Sequence, residues 1–271
     1  NNMNNNMSNN INNNMNNPPI ASIRPLPMSQ NNADQFTYEL IIYLKENSNK
    51  ITIFNPINGV KTVSINQNNF QDNMEKFVNF PQKSKYVNLG CSILLTGGEI
   101  NKISTGNCYL FTFSQNNTSR ENYEVNVLPF SKLNEPRIRH NMIFIPDKNL
   151  VFVVSGFFTK SCEYCNLNDS SWKFISSLNK SRGNATLAYV NEKYIYTIGG
   201  YEIINRNQSG NYLNDLEIID INNLNDDWKN INFINQQGFE MNLCAFGVIP
   251  LAKDEFLLCG GFDGLEYKRN V

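Results

Sequence analysis

A short apolar strand that runs into glycine and then an aromatic or acidic residue occurs four times: ILLTGGE (93–99), FVVSGFF (152–158), YIYTIGGY (194–201) and FLLCGGF (256–262). Aligned on the second glycine position, Gly98, Gly156, Gly200 and Gly261, the copies are 58, 44 and 61 residues apart. That is near the ~50-residue period of arrays built by repeating one supersecondary unit. Four strand-like runs can be found around each complete anchor. The first precedes it by about fifteen residues (86–90, 140–146, 184–190 and 243–250), and the anchor itself is the second. A third follows a variable loop (108–113, 162–167 and 216–221), and a fourth reads YEVNVL, WKFI or WKNINF. No helix of useful length intervenes, so a parallel α/β sheet is excluded and repeated four-stranded antiparallel sheets remain. The expected class is all-β.

The flanks are less regular. Twelve of the first seventeen residues are Asn, followed by Pro18, Pro19, Pro25 and Pro27. Such a segment cannot bury enough apolar area to offset its ordering entropy, so residues 1–35 are expected to be disordered. Residues 36–66 hold three β-like runs (36–44, 50–54 and 59–65) separated by Asn-rich turns, which read as a partial sheet. The polar stretch 66–84 carries Phe70, Met74, Phe77 and Val78 at helical spacing, and a loop folded back on the sheet is the preferred reading.

Charge and cysteine usage narrow the function classes. With a formal net charge of -1 and pI ≈ 6.0, the chain has no electrostatic footprint for nucleic acid or an anionic membrane. No run approaches the ~18 apolar residues of a membrane span, and the first twenty lack the blocks of a signal peptide. The six cysteines, Cys91, Cys108, Cys162, Cys165, Cys244 and Cys259, are too sparse for a disulfide scaffold. They are expected to be free, buried thiols of a cytoplasmic protein. The Asn-x-Ser/Thr triplets are attributed to chance in so Asn-rich a chain.

Three signatures over residues 84–265 resemble a kelch-repeat β-propeller. One is the double glycine, complete at Gly97-Gly98, Gly199-Gly200 and Gly260-Gly261 and degraded to Ser155-Gly156. Another is the arginine before the first strand, Arg137 and Arg182, and the last is the fourth-strand tryptophan, Trp172 and Trp228. Paired glycines let the backbone bend sharply where a side chain would clash. Tryptophan can fill the gap between sheets, and arginine can stack on such a ring or bond loop carbonyls. The resemblance implies full blades at 84–128, 137–176 and 182–233, with partial blades at 36–66 and 239–271. Family members usually carry six or seven blades, so the expectation is a fragment or truncated product forming an open arc or undersized ring.

Candidate chemistry is thin. Cys162 and Cys165 fit a zinc pair poorly, because positions three apart on a strand point to opposite faces and Cys162 aligns with the apolar positions Cys108 and Leu216. The single histidine, His140, aligns with Ala185 and reads as structural. Glu99, Glu163, Glu202, Glu217, Asp220 and Asp263 are candidates for a carboxylate pair, yet no inward-pointing pattern among them is evident. The Asp226-Asp227 pair reads as a turn. No phosphate loop, metal or cofactor is implied.

The resemblance instead implies a non-enzymatic interaction module that binds another protein on the face where the loops after the anchor strands converge. The partner-contact candidates are Arg137, Arg182, Tyr201, Arg206 and Phe157, with Arg206 in the longest loop. For the arginines, packing beneath the tryptophan or bonding loop carbonyls stands beside partner contact; for Phe157, Tyr201 and Phe262, packing is preferred. By family analogy the whole protein is a scaffold, a cytoskeletal binder or a ubiquitin-ligase adaptor. The alternative is a propeller enzyme, such as a sugar isomerase or hydrolase, using charged residues in an axial funnel.

Overall fold

The computed structural model describes residues 20–23, 40–46, 48–55, 59–66, 79–90, 92–115, 123–203, 209–232, 243–252 and 255–268. Among them the chain is all-β, with one 3-10 turn at Pro146–Lys148 and no α-helix. Among the described residues no helix is long and apolar enough to cross a membrane. The described residues form two compact units, one within 14–133 and one within 134–271.

The first unit contains β1 (Ile20–Ile23), β2 (Leu40–Leu44), β3 (Lys50–Asn55), β4 (Gly59–Asn66), β5 (Lys85–Asn88), β6 (Ser92–Thr96), β7 (Glu99–Ile100), β8 (Ile103–Ser104), β9 (Cys108–Gln115) and β10 (Tyr123–Phe130). One eight-stranded sheet, ordered β1-β2-β3-β4-β10-β9-β6-β5, curls into a half-barrel, and β7–β8 is a short separate ribbon. The sequence reading is corrected in two places. Ile20–Ile23, inside the segment expected to be disordered, pairs antiparallel with β2. The rest of residues 1–35 lies outside the described residues, as do 67–78. The strands at 40–66 form no sheet of their own, because β4 joins β10 in parallel through Val125↔Ile65 and Asn126↔Asn66. Such non-local pairing leaves no local signature. Inside the curl lie Ile42, Leu44, Ile51, Ile53, Phe80, Ile93, Leu95, Tyr109, Phe111, Val125 and Val127, all buried. β6 is buried at every position, as expected of an inner strand that reads as a continuous apolar run.

The second unit contains two four-stranded meanders. One is β11 (Asn141–Ile145), β12 (Leu150–Gly156), β13 (Thr159–Asn166) and β14 (Ser171–Ile175). The other is β15 (Thr186–Val190), β16 (Tyr194–Ile198), β19 (Asp215–Asp220) and β20 (Lys229–Asn232), with the ribbon β17 (Tyr201–Glu202) and β18 (Asn211–Tyr212) inserted. β21 (Gly247–Ala252) and β22 (Glu255–Cys259) follow as a pair.

Strand alternation explains how the sheets stack. Leu187, Ile195 and Ile219 of the second meander pack with Ile145, Phe152, Val154 and Cys162 of the first, sealed by Trp228, whose Nε1 donates to Ser176 O at 3.0 Å. Ala188, Val190, Ile198 and Leu216 pack on the other side with Leu243 and Phe246. The middle sheet is thus buried on both faces. The first strands of successive sheets are neighbours, β15 lying beside both β11 and β21.

Candidate functional site

The anchors are joints. Thr96↔Cys108, Val154↔Cys162 and Ile198↔Leu216 pair two residues before Gly98, Gly156 and Gly200, so the repeats superpose residue by residue. The second glycine has φ of +100 at Gly98 and Gly200, +142 at Gly156 and +112 at Gly261. A Cβ at Gly98 would lie 2.8 Å from Gln82 O, and one at Gly156 would lie 2.8 Å from Ile138 O. The position before it is left-handed too: φ is 58 at Gly97, 59 at Gly199, 68 at Gly260 and 55 at Ser155. Ser155 keeps the conformation without being glycine. Its hydroxyl donates to Thr159 O and accepts the Arg182 N–H, both at 2.8 Å, tying two sheets together.

Arg137 and Arg182 are interior, with fully buried side chains. Neither presents a surface to a partner, because each guanidinium is held by carbonyls and carboxylates. Arg137 Nη1 donates to Ser155 O at 3.0 Å and Ser161 O at 2.7 Å, and Nη2 to Glu163 Oε1 at 2.6 Å. Arg182 Nη1 donates to Gly199 O and Asp215 O, Nε to Glu217 Oε1 at 3.1 Å, and Nη2 to Asp215 Oδ1 at 2.6 Å.

Each glutamate is also capped by an asparagine three residues before its arginine. Glu163 Oε2 accepts from Asn134 N and Nδ2 (2.7 and 2.8 Å), and Asn134 Nδ2 also reaches Trp172 O. Glu217 Oε2 accepts from Asn179 N and Nδ2 at the same distances, and Asn179 Nδ2 reaches Trp228 O. This is one device built twice. A buried third-strand carboxylate clamps the linker that brings the chain into the sheet, leaving few lone pairs unsatisfied. Sequence reasoning missed it, although aligning Cys162 with Leu216 already places Glu163 level with Glu217. The second signal is the Leu-Asn-x-x-Arg run at 133–137 and 178–182.

The first repeat lacks the device. Gln82 and Glu99 exchange backbone bonds as Gly183 and Tyr201 do, which puts Pro81 at the arginine position, and Tyr109 stands at the glutamate position. There Tyr109 belongs to the apolar core with Phe80. Two residues beyond the arginine position every repeat has a left-handed non-glycine: Lys83, Arg139, Asn184 and Ala245, φ 51 to 57. In the second unit these residues link sheet to sheet, Asn184 N–H to Arg139 O and Ala245 N–H to Asn184 O, both 2.8 Å.

The loops after β12, β16 and β22 lie side by side, joined by rings. Phe158, Phe157, Tyr201, Tyr212, Phe262 and Tyr267 form a continuous row with centroid separations of 4.7 to 6.1 Å. Arg139 covers Phe157 at 5.5 Å, so a ring–cation contact exists, though with neither predicted arginine nor a tryptophan. Phe157, Tyr201 and Phe262 are buried, while the row ends in exposed Phe158 (45%) and Tyr267 (54%) beside Leu265 (87%). The Leu265 turn is fixed by Asp263 Oδ1, which accepts from the N–H groups of Leu265 and Glu266, and by Lys268 on Asp263 Oδ2. Arg206 lies outside the described residues.

Chemically reactive groups are restrained. The five described cysteines are free, and burial pushes the Cys162 and Cys165 thiols up to about 12, keeping them protonated. Among the described residues no group of three or more His, Cys, Asp or Glu is placed to hold a metal ion. Burial opposes ionisation of Asp215, but hydrogen bonds from Lys180, Arg182 and Asn230 outweigh it and hold its carboxyl below the ordinary range. No protein-family model matches the chain, and a search of curated proteins finds no significant relative.

Proposed function

We propose that the chain is a kelch-type β-propeller, or an arc of one, that acts as a non-catalytic protein-interaction module in the cytoplasm. Its partner is another protein, engaged through the loops that follow the anchor strands. The observation carrying this reading is the row of rings that locks three of these loops together and leaves Phe158, Leu265 and Tyr267 projecting. Rigid apolar side chains held out by an ordered turn are the anchors that dominate binding energy at protein interfaces. Stacked four-stranded sheets with neighbouring first strands support the propeller arrangement. Binding is favoured over catalysis because the buried acids Glu163, Glu217 and Asp215 are all engaged by arginine, and the two glutamates also by backbone amides.

The test is affinity capture with the full chain and a Phe158→Ala/Leu265→Ala/Tyr267→Ala variant, with Lys173→Ala on β14 as control. Partners retained by wild type and by the control are expected to be lost from the triple variant while its strand content stays unchanged. An unchanged partner set would place the interaction elsewhere.

A further inference from the structure

Little holds β1 to its sheet. Its four residues, Ile20–Ile23, pair with Tyr43, Ile42, Ile41 and Leu40 of β2, whereas β9 and β10 share eight pairs. Pro18 and Pro19 precede it, and Pro25 and Pro27 follow it. Proline donates no backbone hydrogen bond, so the strand cannot lengthen in either direction. Residues 24–39 separate β1 from β2, where an antiparallel hairpin needs as few as about two residues. That tether lets β1 leave β2 without moving β3 or β4. β1 also lies beside β5, which stands at the far end of the strand order, so it occupies the seam of the curl.

The edge that β1 covers has no guard of its own. Natural sheets blunt open edges with charge or proline. The outer strands β5, β14 and β20 each carry a lysine, Lys85, Lys173 and Lys229. β2 reads LIIYL, with no charge, glycine or proline. Segments of this kind, rich in β-branched and aromatic residues, pair readily with copies of themselves. Laid antiparallel on a second β2 and centred on Ile42, the strand sets Leu40 opposite Leu44 and Ile41 opposite Tyr43, apolar at every position. Such a self-complementary pair closes on a twofold axis. The tether decides the competition in dilute solution, because a strand on a flexible linker acts at an effective concentration on the order of millimolar.

We propose that residues 20–23 are an intramolecular strap that holds shut a strand-accepting edge on β2, and that releasing the strap lets a second copy of the chain pair there edge to edge. The inference does not depend on the loop-face reading, since it concerns the first unit and not the aromatic row. It is tested in the full chain with Ala21→Pro/Ser22→Pro, which removes ladder donors from β1, and with Ser29→Pro as control. At micromolar concentration the parent and the control are expected to sediment as monomers, and the β1 variant as dimers or larger species. A synthetic peptide of residues 18–27, at about millimolar concentration, is expected to return the variant to monomer. Association that the peptide does not reverse would overturn the proposal. So would a variant that stays monomeric, whether its β2 edge remains bare or takes a strand from another protein. Should the variant lose its strand content, hydrogen exchange of the parent chain decides. The β1 amides are expected to exchange at least about tenfold faster than those of β9 and β10, yet more slowly than in the free peptide. Rates equal to those of β9 and β10 would mean that the strap does not release, and rates equal to the peptide's that it does not close; either overturns the proposal.

Discussion

The sheet β11–β14 and the sheet β5-β6-β9-β10 solve one problem with opposite chemistry. In both, a linker must be held against the third strand beneath a glycine joint. The first uses Arg137, Glu163 and Asn134, with the arginine–glutamate pair fully buried. The second has Pro81 and Tyr109 at the matching positions, with Tyr109 in an apolar cluster that includes Phe80. A buried ion pair seldom adds net stability over an apolar replacement, but it punishes the loss of either partner. The lesson is that the repeat conserves a geometric need and not a residue type. Two adjacent positions must change together, from arginine and glutamate to proline and tyrosine.

Breaking the comparison should give the largest effect. Tyr109→Glu places an acid in the first unit where Pro81, and not arginine, stands at the matching linker position, and is expected to cost ~3–5 kcal/mol in urea unfolding. A loss below ~1 kcal/mol would show that water or another cation reaches the site. Gly200→Ala is next: at φ +100, with Ala185 Cβ 3.0 Å from the added methyl, it should cost ~1–3 kcal/mol. Asn179→Ala removes the two side-chain hydrogen bonds of the clamp, from Nδ2 to Glu217 and to Trp228 O, and should cost about as much, ~1–3 kcal/mol, with the same substitution at Asn134 behaving alike.

The smallest effect is a pH dependence. Because the folded pKa of Asp215 is lowered from its ordinary value of 3.8, its contribution is fully present above that value and is lost as pH falls through the folded pKa. The stability gap between wild type and Asp215→Asn should therefore narrow below about pH 4, and a gap that widens there would reverse the sign of the shift.

The anchors were legible in the sequence because a continuous apolar run ending in a glycine pair leaves a signal that is entirely local. The strands around them followed, and the observed register places Cys108, Cys162 and Leu216 level, as the alignment required. The arginines were recognised as positions, with bonding to carbonyls left standing beside partner contact: sequence shows that Arg137 and Arg182 recur, not which way a long side chain folds. Glu163 and Glu217 were visible, yet considered as catalytic acids and so never matched to the arginines that hold them. The parallel joining of β4 to β10 was invisible, since two residue pairs between strands some sixty positions apart leave no pattern in either segment.

The central claim is that Arg137 and Glu163 form an internal clamp and not a binding surface. A double-mutant cycle on urea unfolding tests it most directly. Arg137→Met and Glu163→Leu are each expected to cost ~3–5 kcal/mol, and the double substitution, which imitates the first repeat, to recover most of that loss. Single variants within ~0.5 kcal/mol of wild type, or costs that simply add, would contradict the account.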